Sequence, residues 1–350
     1  MSDYVVALCN EIDASYDGQT ASGLSTVYFG GGTPSLFSQA QLSIVLAKLR
    51  GTFGLQSEAE ITLEVNPGTV KASDFDGFYG MGINRISIGV QSFSKVLLGS
   101  LGRIHTARQA MDTIMWAKAA GFTNISCDLM TGLPGQTLGD ALDSLSILLE
   151  YEVPHVSFYA LSLEEGTPFY DRYHRHEDQL PDPELEREMY HSMILLLKEH
   201  GYNHYEISNC SRPGLESRHN LTYWKALPYY GFGCAAFSYL HGRRIGNTSD
   251  LRGYIKSMIS PDVCLCDIEE ENVEISWTES RKEFMLLGFR LLRGVSAGEF
   301  ADRFGMPLAD VFGAELDGLL AKNLIICQNG NYRLSNTGLD YANQVFCAFV

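Results

Sequence analysis

The stretch Arg85-Ile86-Ser87-Ile88-Gly89-Val90-Gln91, the apolar positions Ala110, Ile114 and Ala117, and the run Ile125-Ser126-Cys127-Asp128-Leu129-Met130 together decide the fold. A β-branched run, a segment of helical period and a second strand-like run make one βα unit, and such units build parallel sheets. The same rhythm recurs outward on both sides, with strand-like runs at Thr26–Phe29, Ile61–Val65 and Val156–Leu161. The connecting segments repeat apolar residues at helical spacing, as at Leu42, Val45, Leu46 and Leu49, and again at Leu138, Leu142, Leu145 and Leu149. The strand runs read as nearly continuous apolar text, the pattern of parallel strands covered on both faces. The expectation is an α/β protein on a parallel sheet or partial barrel, with Asp182–His200 as a further helix entered through Pro181 and Pro183 and closed by Gly201.

From Tyr202 the text turns aromatic and glycine-rich (Tyr223, Trp224, Tyr229, Tyr230, Gly231, Phe232, Gly233), which reads as loops and short strands. The C-terminal part then reads helix (Glu279–Leu292), helix (Ala297–Phe304), helix (Leu308–Lys322), a β-ribbon (Leu324–Leu334) around Gln328-Asn329-Gly330-Asn331, and a last helix. That is the order of a winged-helix module. The expected division is a partial β/α barrel over residues 1–201, a connecting region over 202–260 and an α+β winged-helix-like domain over 261–350. From Pro261 onward there are 7 Lys or Arg against 14 Asp or Glu, so the module reads as a packing or partner-docking unit rather than a DNA reader.

Composition limits the function further. With 350 residues, 45% hydrophobic, the chain can bury a large core, and its net charge of −16 repels phosphate backbones and anionic membranes at long range. Nucleic acid is therefore not an expected partner. No apolar run reaches the ~18 residues of a membrane span, and Asp3, Glu11 and Asp13 occupy the place where a signal peptide would be basic and apolar. A cytoplasmic location is expected, and the 8 dispersed cysteines read as reduced thiols rather than a disulfide framework. Cys264 and Cys266 lack the second pair or His partner of a zinc site.

Polar residues at the strand ends carry the chemistry, because ligands of a parallel barrel bind at the C-terminal ends of its strands. The first strand runs into Gly30-Gly31-Gly32-Thr33, where backbone groups can approach a ligand. The second carries Glu64 and Asn66, the third ends in Gln91, Arg103 follows in the next loop, and the fourth carries Asp128. Each has a structural alternative, such as a salt bridge between Glu64 and Arg85 or a loop cap by Gln91. Together they suit a zwitterionic amino acid joined to a ribose: Glu for an ammonium, Arg for a carboxylate, Gln and Asp for vicinal hydroxyls.

The strings Tyr28–Ser35, Glu64-Val65-Asn66-Pro67-Gly68, Arg85–Phe93, Leu101-Gly102-Arg103-Ile104-His105 and Asp128–Pro134 resemble, in order, the radical SAM family of anaerobic coproporphyrinogen III oxidases and their relatives. The resemblance implies a TIM-like (β/α)6 partial barrel and places Gly31, Gly32, Thr33, Glu64, Gln91, Arg103 and Asp128 on positions that hold S-adenosylmethionine. A further string, His219-Asn220-Leu221-Thr222-Tyr223-Trp224, is similar to the His-Asn-x-x-Tyr-Trp motif of the HemW-type heme chaperones. It implies heme as cargo and cofactor, with His219, Asn220, Tyr223 and Trp224 as heme-binding candidates. His219 has an imidazole able to ligate iron, and the two aromatic residues supply ring surface. The bland alternative is that His219 and Asn220 only hydrogen-bond loop backbone.

The family's Cys-x3-Cys-x2-Cys run, which ligates a [4Fe-4S] cluster, does not occur in the sequence, and Cys9 stands alone in a helix-like segment. The first barrel strand is expected to be missing as well, consistent with an N-terminally shortened chain. Without three thiolates the cluster lacks its ligand set and reductive cleavage of the sulfonium has no electron source. The leading expectation is thus a HemW-type heme chaperone that binds heme and passes it to an unidentified acceptor protein, with transient contact to membrane-associated heme proteins and impaired cluster binding. The alternatives are an oxygen-independent coproporphyrinogen III oxidase-like enzyme and a cluster-less scaffold. Arg243 and Arg244 are read as a solvated pair or as propionate partners, and Cys210 and Cys234 as small apolar fillers.

Overall fold

The computed structural model describes residues 2–16, 18, 23–176 and 179–350. Its main sheet has seven strands: β1 (Leu24–Phe29), β2 (Leu55–Val65), β3 (Arg85–Gln91), β4 (Asn124–Thr131), β5 (His155–Ala160), β6 (Asn203–Glu206) and β7 (Asn209–Ser211). Their order is β1-β2-β3-β4-β5-β7-β6, curled as a half-barrel. The pairings β2–β3, β3–β4 and β4–β5 are parallel, and β7 joins β5 antiparallel. The first two short strands after Tyr202, β6 and β7, thus extend this same sheet.

The chain forms two compact units. Tyr28–Leu36 with Glu60–Glu216 make the first. Its helices begin where the sequence provides a cap: Thr106 with Gln109 and Thr137 with Asp140 form reciprocal capping boxes. The helix Leu138–Glu150 buries Ala141, Ser144, Leu145 and Leu148, one stripe at helical spacing.

Strand register corrects the reading of the strands as apolar on both faces. Glu64 lies beside Ser87, Ser87 beside Ser126, Ser126 beside His155, and Asp128 beside Ser157. Side chains two residues apart share a face, so Thr62, Glu64, Arg85, Ser87, Ser126, Asp128, His155 and Ser157 all project to one side. Ile86, Ile88, Val90, Ile125, Leu129 and Val156, essentially fully buried, project to the other. The helices Ala107–Ala119 and Leu138–Glu150 pack against β3 and β4. One face is a hydrophobic floor for helices and the other is a polar surface, so the strands alternate after all.

The second unit comprises the chain up to Val27, Phe37–Ala59 and Ser217–Val350. Its helix Ser2–Ala14 packs against the helices Gln39–Thr52 and Leu251–Met258, around a core of Ala7, Tyr254, Met258 and Ile268. Glu11 is buried there yet satisfied, accepting from the Gly233 amide (2.8 Å), the Asn247 side chain (2.6 Å) and the Tyr254 hydroxyl (2.5 Å). A three-stranded antiparallel sheet holds β8 (Phe237–Leu240), β9 (Arg243–Asn247) and β10 (Glu269–Glu274).

The winged-helix order is present at the C-terminus as helices Trp277–Gly288, Ala297–Phe304 and Leu308–Ala321. They are combined with β11 (Val295–Ser296), β12 (Ile325–Gln328) and β13 (Asn331–Leu334), in the order β11-β13-β12. Phe289, Phe300, Phe312 and Phe349 make its aromatic core. Cys264 and Cys266 are joined as a disulfide, against the expectation of reduced thiols throughout, because a Cα–Cα distance of 5.3 Å brings their sulfurs together. No helix of the described residues is long and apolar enough to cross a membrane.

Candidate functional site

The strand-end residues group around three anchors within the first unit. At the end of β1, Gly30 leaves no room for a side chain: a Cβ there would meet the Tyr28 ring at 2.5 Å and Glu64 Oε1 at 3.1 Å. Gly31 has φ +80°, a conformation that favours glycine, and open space surrounds both Gly31 and Gly32. Thr33 follows, half-buried. Glu64 Oε1 accepts from the Tyr28 hydroxyl at 2.7 Å. Burial pushes the Glu64 carboxyl up, while the Tyr28 hydroxyl, the Arg85 charge and the Gly31 amide pull the other way.

Gln91 closes β3 at φ +67° and is buried. A side chain at Gly89 would lie 3.1 Å from Gln91 Nε2 and 2.9 Å from Asn66 Oδ1, so this glycine keeps the two amides close. Arg103 donates to the same Asn66 Oδ1 at 3.4 Å, and desolvation lowers its guanidinium pKa. Asp128 accepts from Ser87 Oγ at 3.5 Å and from the Ser157 hydroxyl. Burial, with the nearby Glu64 charge adding to it, pushes Asp128 up to about 6, opposed by the two hydroxyls and by Arg85.

Sequence reasoning missed Tyr28, Ser87 and Ser157 as partners of the carboxylates. The signal was the period-two polar text of β3, β4 and β5, Arg-x-Ser-x-Gly, Ser-x-Asp and His-x-Ser-x-Tyr. The donor set has the right chemistry for an α-amino acid joined to a ribose: carboxylate acceptors, a guanidinium donor, a buried amide and a glycine edge where a Cβ would intrude. Among the described residues no comparable set gathers for an iron–sulfur cluster. Among the described residues no group of three or more His, Cys, Asp or Glu could hold a metal ion. Cys9, Cys127 and Cys210 are buried singly. Among the described residues these thiols stand apart and form no three-thiolate ligand set.

The second candidate site is the helix Arg218–Trp224, capped by Ser217 through the Asn220 amide at 3.3 Å. His219 is held at both ring nitrogens, Nδ1 by Thr26 Oγ1 (2.9 Å) and Nε2 by the Tyr223 hydroxyl (2.8 Å). Burial pushes Tyr223 up to about 12, and in the Nδ1–H tautomer of His219 its hydroxyl donates to Nε2 while Nδ1–H donates to Thr26. Tyr223 packs edge-on against His219 and Tyr229, with ring centroids at 5.0 and 4.7 Å. The Trp224 ring is covered by the Arg290 guanidinium at 4.3 Å.

A cleft of ≈130 Å³ lined by Ser25, Thr26, Arg218, Leu221, Thr222, Lys225 and Leu227 adjoins this helix. It has room for a side chain or a few waters, so a tetrapyrrole is not enclosed by it. Arg303 ties the helix end down through the Lys225 and Ala226 carbonyls at 3.0 and 2.6 Å. Arg244 pairs with Glu283 at 2.9 Å, and Arg243 with Asn272 at 2.7 Å, so both are engaged within the fold. Cys210 is buried and Cys234 packs against the core around Tyr254, as fillers do.

Comparison with known proteins agrees with this fold. Residues 10–148 match the radical SAM superfamily, and residues 275–341 match the HemN C-terminal domain. The solved structure titled coproporphyrinogen III oxidase (HemN) from Escherichia coli superimposes with a TM-score of 0.84 over 99% of this chain and 82% of that one. At 21% identity that likeness speaks for the fold. The heme chaperone HemW of Bacillus subtilis (strain 168) is 35% identical over 351 residues, covering 100% of this chain and 92% of its own. That of Lactococcus lactis subsp. lactis is 35% identical over 328 residues, covering 93% and 85%. The chain belongs to the HemW heme chaperone family, within the radical SAM superfamily.

Proposed function

We propose that this chain binds heme in the cytoplasm and hands it to an acceptor protein, membrane-associated heme proteins among the acceptors, with His219 as the iron ligand. The observation that carries the reading is the orientation of His219. A histidine that ligates a metal through one nitrogen is normally fixed by a hydrogen bond from the other, and Thr26 supplies that bond at Nδ1. Nε2 then becomes available when the Tyr223 hydroxyl turns away. A ligand that must first displace an internal hydrogen bond is bound reversibly, as suits a cargo passed on rather than kept. Asn220, Tyr223 and Trp224 shape the surface around it.

S-adenosylmethionine, if bound at the strand ends, would supply a cationic sulfonium. Glu64 would take its ammonium, Arg103 its carboxylate, Gln91 and Asp128 its ribose hydroxyls, with Gly31, Gly32 and Thr33 forming the backbone edge. Because cluster ligands are absent from these residues, cluster binding by this chain is impaired and no step of the transfer is assigned to radical chemistry.

The test is to load the chain with hemin, remove the excess, and add an apo-form b-type cytochrome. Loss of the heme absorbance from this chain with matching gain on the acceptor is expected. A chain that retains no heme after desalting, or whose heme is recovered only in free solution, overturns the proposal.

A further inference from the structure

The seven strands of the main sheet contain one Lys or Arg between them, Arg85. It is 2% exposed and sits at the start of β3, beside Thr62 and Asn124 in register. The polar face that carries it also carries Glu64, one pair further along β2, and Asp128 on β4. A buried guanidinium is costly unless an opposite charge compensates it, and a buried carboxylate is costly for the same reason. Arg85 Nε has no hydrogen-bond partner, so its main return is electrostatic rather than a fitted ion pair. Its positive charge acts on both Glu64 and Asp128 against their burial.

The other titratable groups on the strands of this face do not supply that charge. Tyr28 on β1 is held protonated by burial, the pKa of the Tyr159 hydroxyl on β5 is also raised, and His155 on β5 is kept neutral by burial and by the Arg85 charge. Arg103 lies in the loop beyond the strand ends, reaches Asn66 and adds a second positive charge near Asp128 from outside the sheet. Glu206 on β6 bonds Asn209 and adds negative charge rather than offsetting it. Hydroxyls extend the support: Ser157 donates to Asp128, Ser126 lies 3.4 Å from Ser157 and 2.7 Å from His155 Nδ1, and His155 Nε2 meets the Tyr205 hydroxyl at 2.9 Å.

We propose that Arg85 is a positioning residue, the buried counter-cation that keeps Glu64 and Asp128 as charged, fixed acceptors at the strand ends. It does not touch the ligand. It sets the charge of the two groups that do, so the ligand class is one that brings a cation and hydroxyl donors to a site of net negative charge. This rests on the S-adenosylmethionine reading of the strand ends, and the test separates the two.

The chain is labelled with ¹³C at Asp carboxyl carbons, Asp128 is assigned from the signal lost in Asp128→Asn, and its titration is followed by NMR in wild type and in Arg85→Gln and Arg85→Lys. Binding of S-adenosylmethionine is measured by calorimetry at pH 6, 7 and 8. The Asp128 midpoint is expected to rise by about 1 pH unit in Arg85→Gln, the lower end of what loss of an opposite charge gives, because the two groups are not in ion-pair contact. Arg85→Lys should return it most of the way. Binding by Arg85→Gln should be weakest at pH 6 and recover toward pH 8.

An unchanged Asp128 midpoint in a folded Arg85→Gln protein overturns the role of Arg85. Absence of S-adenosylmethionine binding in wild type, with the midpoint shift still present, overturns the ligand reading alone. If Arg85→Gln does not fold, the double variant Arg85→Gln with Asp128→Asn should regain a cooperative melting transition, because it removes an uncompensated charge. A double variant that also shows no melting transition contradicts the proposal.

Discussion

On the polar face of the main sheet, Glu64, Ser87, Asp128 and Ser157 are placed by strand register. Around the helix Arg218–Trp224, His219 is placed by two hydrogen bonds from side chains, one of them 193 residues away in the chain. The first region is built from rigid strands whose opposite face is an apolar floor, and its donors and acceptors stand ready before any ligand arrives. The second is closed on itself, with Tyr223 occupying the nitrogen that would take iron. A preformed site suits a resident small molecule, and a self-satisfied one suits a cargo that must leave again.

The largest effect should separate the two faces of the sheet. Ile88→Ala, on the apolar face and fully buried, is expected to cost about 2–5 kcal/mol in urea denaturation, while its neighbour Ser87→Ala costs about 1 kcal/mol. Equal costs would break the two-faced description.

Asp128→Asn should weaken S-adenosylmethionine binding about 10- to 100-fold, the worth of a hydrogen bond to a charged acceptor. It should also stabilise the free protein at neutral pH. Asp128 titrates near 6 when folded against 3.8 ordinarily, so the folded state holds this proton more tightly than the unfolded chain. Stability from this group is present at low pH and falls as pH rises from ~4 to about 6, by up to roughly 3 kcal/mol. The advantage of Asp128→Asn over wild type should therefore appear at pH 7 and vanish by pH ~4, measured as the difference in urea midpoints.

In the helix region, Thr26→Val removes the bond that orients His219 and should lower heme affinity about tenfold, as loss of a supporting hydrogen bond does at other metal-ligating histidines. Tyr223→Phe should do the reverse. It removes the hydroxyl that competes for Nε2, and the gain of about 1 kcal/mol corresponds to roughly fivefold tighter heme. Weaker binding by Tyr223→Phe would mean that the hydroxyl contacts the cargo rather than blocking it.

Much of the first region was legible in the sequence because βα text is local. The run Arg85–Val90 is a strand over Arg85–Gln91, and the helical spacing of Leu138, Leu142, Leu145 and Leu149 falls in a helix over Leu138–Glu150. The strand-end residues were legible as types, since polar groups stand out at the ends of apolar runs. Their supports were not, because Ser87 and Ser157 act through register with neighbouring strands, and a serine within a strand looks neutral until its face is known. The alternation of Arg85, Ser87, Gly89 and Gln91 with Ile86, Ile88 and Val90 is present in the sequence, but the glycine and serine, being small, let the segment pass for a continuous apolar run. For the second region the motif was legible and its partner was not: nothing local links Thr26 to His219, and the Arg290 cover over Trp224 arises only in the folded chain.

The central claim is that His219 ligates the cargo iron. It is tested most directly by titrating wild type and His219→Ala with hemin while recording absorption and resonance Raman spectra, with a circular dichroism check that both are folded. The account predicts a saturable shift of the heme band in wild type, with an iron–histidine signature, that is lost in His219→Ala. The same saturable spectrum in both proteins would contradict it.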